Sequence, residues 1–84
     1  MKKKYEARRG EPKRKFVEEV VSPLLRHANT GFYGAEYVCD SSSEYYSEVV
    51  WLLDNRGERI IEVNVSCDSL EEIVRDVFKA MKDW

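Results

Sequence analysis

Histidine occurs once in the 84 residues, cysteine and proline twice each, and glycine four times. With a single imidazole, His27, and two cysteines as far apart as Cys39 and Cys67, no metal-ligand spacing exists, and neither metal nor cofactor is expected. Nucleophilic catalysis needs an activated Ser or Cys beside a base. His27, flanked by Arg26 and Ala28 at the end of a helical pattern, reads as a surface residue instead. Phosphate-cradling and dinucleotide-binding glycine patterns are missing. No apolar run approaches the roughly 20 residues needed to cross a bilayer. The start "MKKKYEARRGEPKRK" has the charge of a signal peptide without the apolar stretch that must follow it. These absences predict a non-enzymatic cytoplasmic protein. Its cysteines are expected to be reduced and to act as small apolar residues.

What the chain does have is charge. Charged residues make up 36% and hydrophobic residues 43%, as suits one soluble globular domain. A chain this short buries only about 60% of its unfolded surface, so its core is thin. The charge is unevenly spread. Residues 1–35 carry a balance of +5, residues 36–76 a balance of −8 and residues 77–84 a balance of +1, which together give the net −2. Such asymmetry points either to nucleic-acid contact or to an acidic interaction surface.

Residues 1–10 lack apolar periodicity and read as a basic, mobile tail ahead of a single domain over 11–84. Pro12 suits a first helical turn. Phe16, Val17, Val20, Val21, Leu24, Leu25 and Ala28 then recur at helical spacing. Pro23 is expected to kink or split this helix, with Ser22 capping the second piece, and Gly31 to end it. "FYGAEYVCD", "YYSEVVWLLD" and "ERIIEVNVS" read as three strands. "CDSLEEIVRDVFKAMKDW" reads as a helix capped by Asp68 with Glu71 three residues on, its apolar stripe running from Leu70 to Met81 and extended by Trp84. The order is α-β-β-β-α. The fold class is α+β, a two-layer domain with a three-stranded antiparallel sheet and both helices on one face.

In "DNRG", Gly57 suits the left-handed position of a three-residue hairpin loop, which puts Asp54 opposite Glu58. Regular pairing from there sets Leu53 against Arg59, Trp51 against Ile61 and Val49 against Val63 on an apolar face. It leaves Glu48 with Asn64 and Val50 with Glu62 on the open face. If "SSS" turns the first hairpin, Asp40 faces Glu44 and Glu36 faces Glu48. An acidic stripe then crosses the open face through Glu36, Glu48 and Glu62, with Asp40 and Glu44 at one end. Like charges placed opposite one another destabilise a sheet, and a cationic partner would give a reason for them. Tyr45 and Tyr46 would add rigid contact area, and Asp54 and Glu58 would extend the surface at the hairpin tip.

The competing candidate is the basic segment, in which Lys2, Lys3, Lys4, Arg8, Arg9, Lys13, Arg14 and Lys15 could meet phosphates without sequence preference. The element order is also that of double-stranded-RNA-binding domains. Those carry a basic cluster at the start of their second helix. Here "DSLEE" stands in that place, and "DNRGE" lacks the glycine-proline-histidine signature that precedes their third strand.

The stretch "VVWLLDNRGERIIEVNVSCDSLEEIVRDVFKAMKDW", residues 49–84, combines an apolar strand, an Asn/Asp-Gly type turn, an acid-bearing strand and a helix ending in an aromatic. In topology and charge it resembles small phage-encoded anti-CRISPR proteins, which implies the host cytoplasm as its location. The resemblance implies inhibition of a Cas9-like nuclease by nucleic-acid mimicry, carboxylates filling the groove where arginines read the PAM duplex. The basic start departs from the uniformly acidic surface of such inhibitors. The expected partner is thus a basic nucleic-acid-binding protein such as a Cas effector, with direct nucleic-acid contact confined to the tail and no role for a membrane.

Overall fold

The computed structural model describes residues 12–28, 30–40 and 47–84. The basic tail over 1–10 and the "SSSEYY" run, with Glu44, Tyr45 and Tyr46, lie outside the described residues. Helix α1 covers residues 12–27. Strands β1 (Gly34–Asp40), β2 (Ser47–Leu53) and β3 (Arg59–Asn64) follow, and helix α2 (Leu70–Asp83) closes the described chain. The sheet is antiparallel with strand order β1-β2-β3, so the expected α+β architecture holds.

Pro23 does not split α1. The turn Val17–Val21 just before it is wound as a π-helix, and the Ser22 N–H reaches back to the Val17 carbonyl. A widened turn shifts the carbonyl ladder by one residue where proline supplies no donor, so the helix continues through Ser22–His27. Ser22 is not a cap; it is helical, and its Oγ accepts the Ala35 N–H at 3.1 Å, tying α1 to β1. The approach is so close that a Cβ on Gly34 would lie 2.9 Å from that oxygen. Past the helix, Gly31 takes φ 93°, the left-handed turn expected of it.

Helix α2 starts one residue later than expected. Ser69, not Asp68, is its cap: Ser69 Oγ accepts the Glu72 N–H at 3.3 Å, and Glu72 Oε1 accepts the Ser69 N–H at 2.8 Å. The two bonds form a capping box with Glu72, not Glu71, at its third position.

One core joins both helices to one sheet face. It comprises Val17, Val21 and Leu25 of α1, Ala35 and Tyr37 of β1, Val50 and Leu52 of β2, Val63 and the neighbouring Val65 at β3, and Ile73 and Val77 of α2. The expected helical stripes were too broad. Val20 and Leu24 face outward, and Trp84 is 75% exposed, adding nothing to the packing. Cys39 packs against the core, whereas Cys67 is exposed.

Candidate protein-binding face

The hairpin tip is as expected. Asp54 N–H donates to the Glu58 carbonyl at 3.0 Å, and Gly57 has φ 83°. Asp54 Oδ1 accepts the N–H groups of Arg56 and Glu58 at 2.8 and 2.9 Å. Those bonds, the one to Glu58 foremost, hold its carboxyl below the ordinary value. Asp54 is therefore first a turn-former. Glu58 is exposed.

Beyond the tip the register departs from regular pairing. Leu53 faces Arg59, but Leu52 faces Ile61, so Ile60 is an extra residue in a β-bulge. From there each pair is one residue off: Trp51 faces Glu62, Val50 faces Val63 and Val49 faces Asn64. On the other side, β1 sets Asp40 against Ser47, Cys39 against Glu48 and Glu36 against Trp51. A one-residue slip turns every side chain of a strand to the other face. Strand β1, and β3 from Ile61 on, keep the faces expected of them, while β2 is inverted and Arg59, expected inward, lies on the outer face.

The inversion dismantles the acidic stripe. Glu48 lies on the inner face at 2% exposure. Its Oε1 accepts from Lys13 Nζ at 2.7 Å, and its Oε2 accepts the Tyr37 hydroxyl. Lys13 Nζ also donates to the Val65 carbonyl at 3.2 Å. Burial, then the hydrogen bond to Glu48, pushes the Tyr37 phenol far above its ordinary value, so it remains a donor. Glu48 is thus not a partner-binding carboxylate, and Lys13 is not a phosphate ligand: they hold the first turn of α1 against the sheet. Arg14 sits 5.3 Å from the Tyr37 ring centroid, and Lys15 is exposed.

What faces outward instead is Trp51 in the middle of the sheet, with Glu36 beside it on β1 and Glu62 beside it on β3. Val38, Val49 and Leu53 share this face and stay half-buried without joining the core. Antiparallel sheets with one solvated face ordinarily alternate polar residues outward. Here the centre is apolar and the charge forms a rim. Arg59 spans part of it: its Nε donates to Glu36 Oε1 at 2.9 Å, and its guanidinium carbon lies 5.2 Å from the Trp51 ring centroid. Glu62 is exposed and pairs with no cation among the described residues. Asp40 stands at the end of β1 on the same face.

Of the expected partner-binding residues, the structure gathers Glu36, Asp40 and Glu62 on one face, puts Glu58 at the tip and withdraws Glu48. Trp51 was missed because it was assigned to the core. Among the described residues no cluster of His, Cys, Asp and Glu could hold a metal ion, and no helix is long and apolar enough to cross a membrane. Comparison of the chain with protein-family models, curated proteins and solved structures finds no match.

Proposed function

We propose that this domain acts by binding rather than catalysis, as an inhibitor whose outer sheet face enters the cationic groove of a nucleic-acid-binding protein and keeps nucleic acid out. The observation that carries this reading is an outer sheet face over which neither described helix packs. It has an aromatic centre at Trp51, and among the described residues the carboxylates of Glu36 and Glu62 flank it with Arg59 as their one paired cation. An apolar patch rimmed by polar residues is the usual form of a protein contact, and an anionic rim suits a basic partner. With Glu48 buried, the face is a mixed aromatic and acidic surface, not a row of charges copying a phosphate backbone. The resemblance to anti-CRISPR inhibitors names a Cas9-like nuclease as the first partner to try.

Direct nucleic-acid binding by the basic segment is less well supported. Of its eight cations, Lys13 is engaged by Glu48 and Arg14 lies over Tyr37, while Lys2, Lys3, Lys4, Arg8 and Arg9 lie outside the described residues.

The test is competition. A guide-loaded Cas9-type nuclease is mixed with a fluorescent PAM-bearing duplex, and the domain is titrated in. Displacement by the natural chain and its loss in Glu62→Lys with Trp51→Ala is the expected result. Equal displacement by both proteins removes the outer face from the mechanism, and direct binding of the duplex by the domain supports the alternative.

A further inference from the structure

We infer that Trp51, Glu36 and Glu62 form a receptor for a single guanidinium group, and that Arg59 occupies it until an arginine side chain of the partner takes its place. This rests on the reading of the outer face as the binding surface and names the group that this surface selects.

The argument starts from strand spacing. Trp51 lies on the central strand, with Glu36 and Glu62 as its direct neighbours on either side. Adjacent strands are about 4.8 Å apart, so the two carboxylate-bearing residues flank the indole with roughly 10 Å between their backbones. That leaves room above the ring for one planar cation between two anions. An indole face attracts a cation through its quadrupole, and a guanidinium also stacks flat and donates in a fork to carboxylate. An ammonium group is compact and strongly hydrated, and satisfies fewer of these contacts.

The chain itself demonstrates the fit. Arg59 places its guanidinium 5.2 Å from the Trp51 centroid while donating to Glu36 at 2.9 Å. Only half of this arrangement is used, because Glu62 has no cation of its own among the described residues. Arg59 is 50% exposed and follows directly from the hairpin tip, so it can be displaced outward without disturbing the core. A partner arginine arriving from the Glu62 side would complete the site. The bulge at Ile60 is what brings this about, since regular pairing would have turned Trp51 inward.

The experiment uses the full chain with Trp84→Phe, a change at an exposed residue that leaves Trp51 as the only indole. Hexa-arginine and hexa-lysine peptides are titrated against Trp51 fluorescence and the Trp51 indole N–H resonance. Removing the resident guanidinium by Arg59→Ala is expected to tighten hexa-arginine binding by about five- to tenfold. Arg56→Ala makes the same change in net charge at the exposed tip and is expected to change affinity less than about twofold. Glu62→Gln is expected to weaken binding about three- to fivefold, more than Glu71→Gln on the exposed start of α2 does. Hexa-arginine is expected to bind more tightly than hexa-lysine. Equal effects of Arg59→Ala and Arg56→Ala, or no preference for arginine, overturn the receptor and leave only a general attraction of cations. If those results coincide with loss of nuclease competition in Glu62→Lys with Trp51→Ala, the binding face stands and the guanidinium site falls. If the receptor behaves as expected while competition fails, the partner is wrong and the site stands.

Discussion

Glu48, at 2% exposure, has Lys13 Nζ against one carboxylate oxygen and the Tyr37 hydroxyl against the other. Removing one member of a buried ion pair leaves the other desolvated and unpaired, at a cost of about 3–5 kcal/mol. A small domain has about 5–15 kcal/mol in total. Both Lys13→Met and Glu48→Leu are therefore expected to lower the urea midpoint severely. The double variant, with an apolar pair in place of the ionic one, is expected to recover much of the loss. Additive losses in that cycle would show that the pair is not coupled. Glu62→Lys, on the open face, is expected to stay within about 0.5 kcal/mol of the natural chain. Two glutamates that look equivalent in the sequence thus separate by several kilocalories. Nothing local marks the difference, because Glu48 acquires its partner from Lys13, 35 residues away.

At the scale of elements, the alternation in β1 and β3 was legible and that in β2 was not. In β3, Ile61, Val63 and the following Val65 contrast with Glu62 and Asn64, so only one face can be the core. In β2, Val50 and Leu52 compete with Val49, Trp51 and Leu53. Both faces are apolar, Glu48 weighed toward the wrong one, and one extra residue at Ile60 decided the matter. The π-turn before Pro23 was equally hidden, since a proline inside a helical pattern is also met by a kink or a break. The cap of α2 missed by one residue for a clearer reason: Asp68 and Ser69 are both good caps, and Ser69 takes the position. Asp68 Oδ2 is buried without a partner. Burial first, then the neighbouring Asp76 carboxylate, which a protonated Asp68 can donate to, pushes its pKa up to about 6 from 3.8. Between those two values the folded chain binds protons that the unfolded chain has released, so stability falls as pH rises through that window and then levels off. Asp76, held below its ordinary value by the bond to Asp68, acts oppositely and only at lower pH. Asp68→Asn supplies a permanent donor and is expected to remove the fall. Its melting temperature should exceed that of the natural chain near about pH 7, and the gap should close toward about pH 4. A gap that does not vary with pH would rule out the carboxyl pair as its source.

At the scale of the whole molecule, the described residues leave few places where another strand could add. Both helices cover the inner face, Ser22 caps the Ala35 N–H on the β1 edge, and the bulge with Arg59 and Glu62 breaks the β3 edge. Charged side chains and bulges on edges discourage strand addition, and among the described residues the outer face is the broad sheet surface without a helix over it. Its two components should act on different rates. The rim carboxylates work at a distance and steer a cationic partner, whereas Trp51 contributes only after contact. The Debye length shrinks from about 10 Å at 0.1 M salt to about 3 Å at 1 M, within the dimensions of the rim. For labelled hexa-arginine followed by anisotropy, the association rate is expected to fall on the order of tenfold over that range, with dissociation nearly constant. Trp51→Leu should do the reverse, leaving association unchanged and raising dissociation about five- to tenfold. Glu62→Gln belongs to the first class and should flatten the salt dependence of association. If Trp51→Leu slows association instead, the aromatic centre shapes the encounter itself and the division between steering rim and holding centre is wrong.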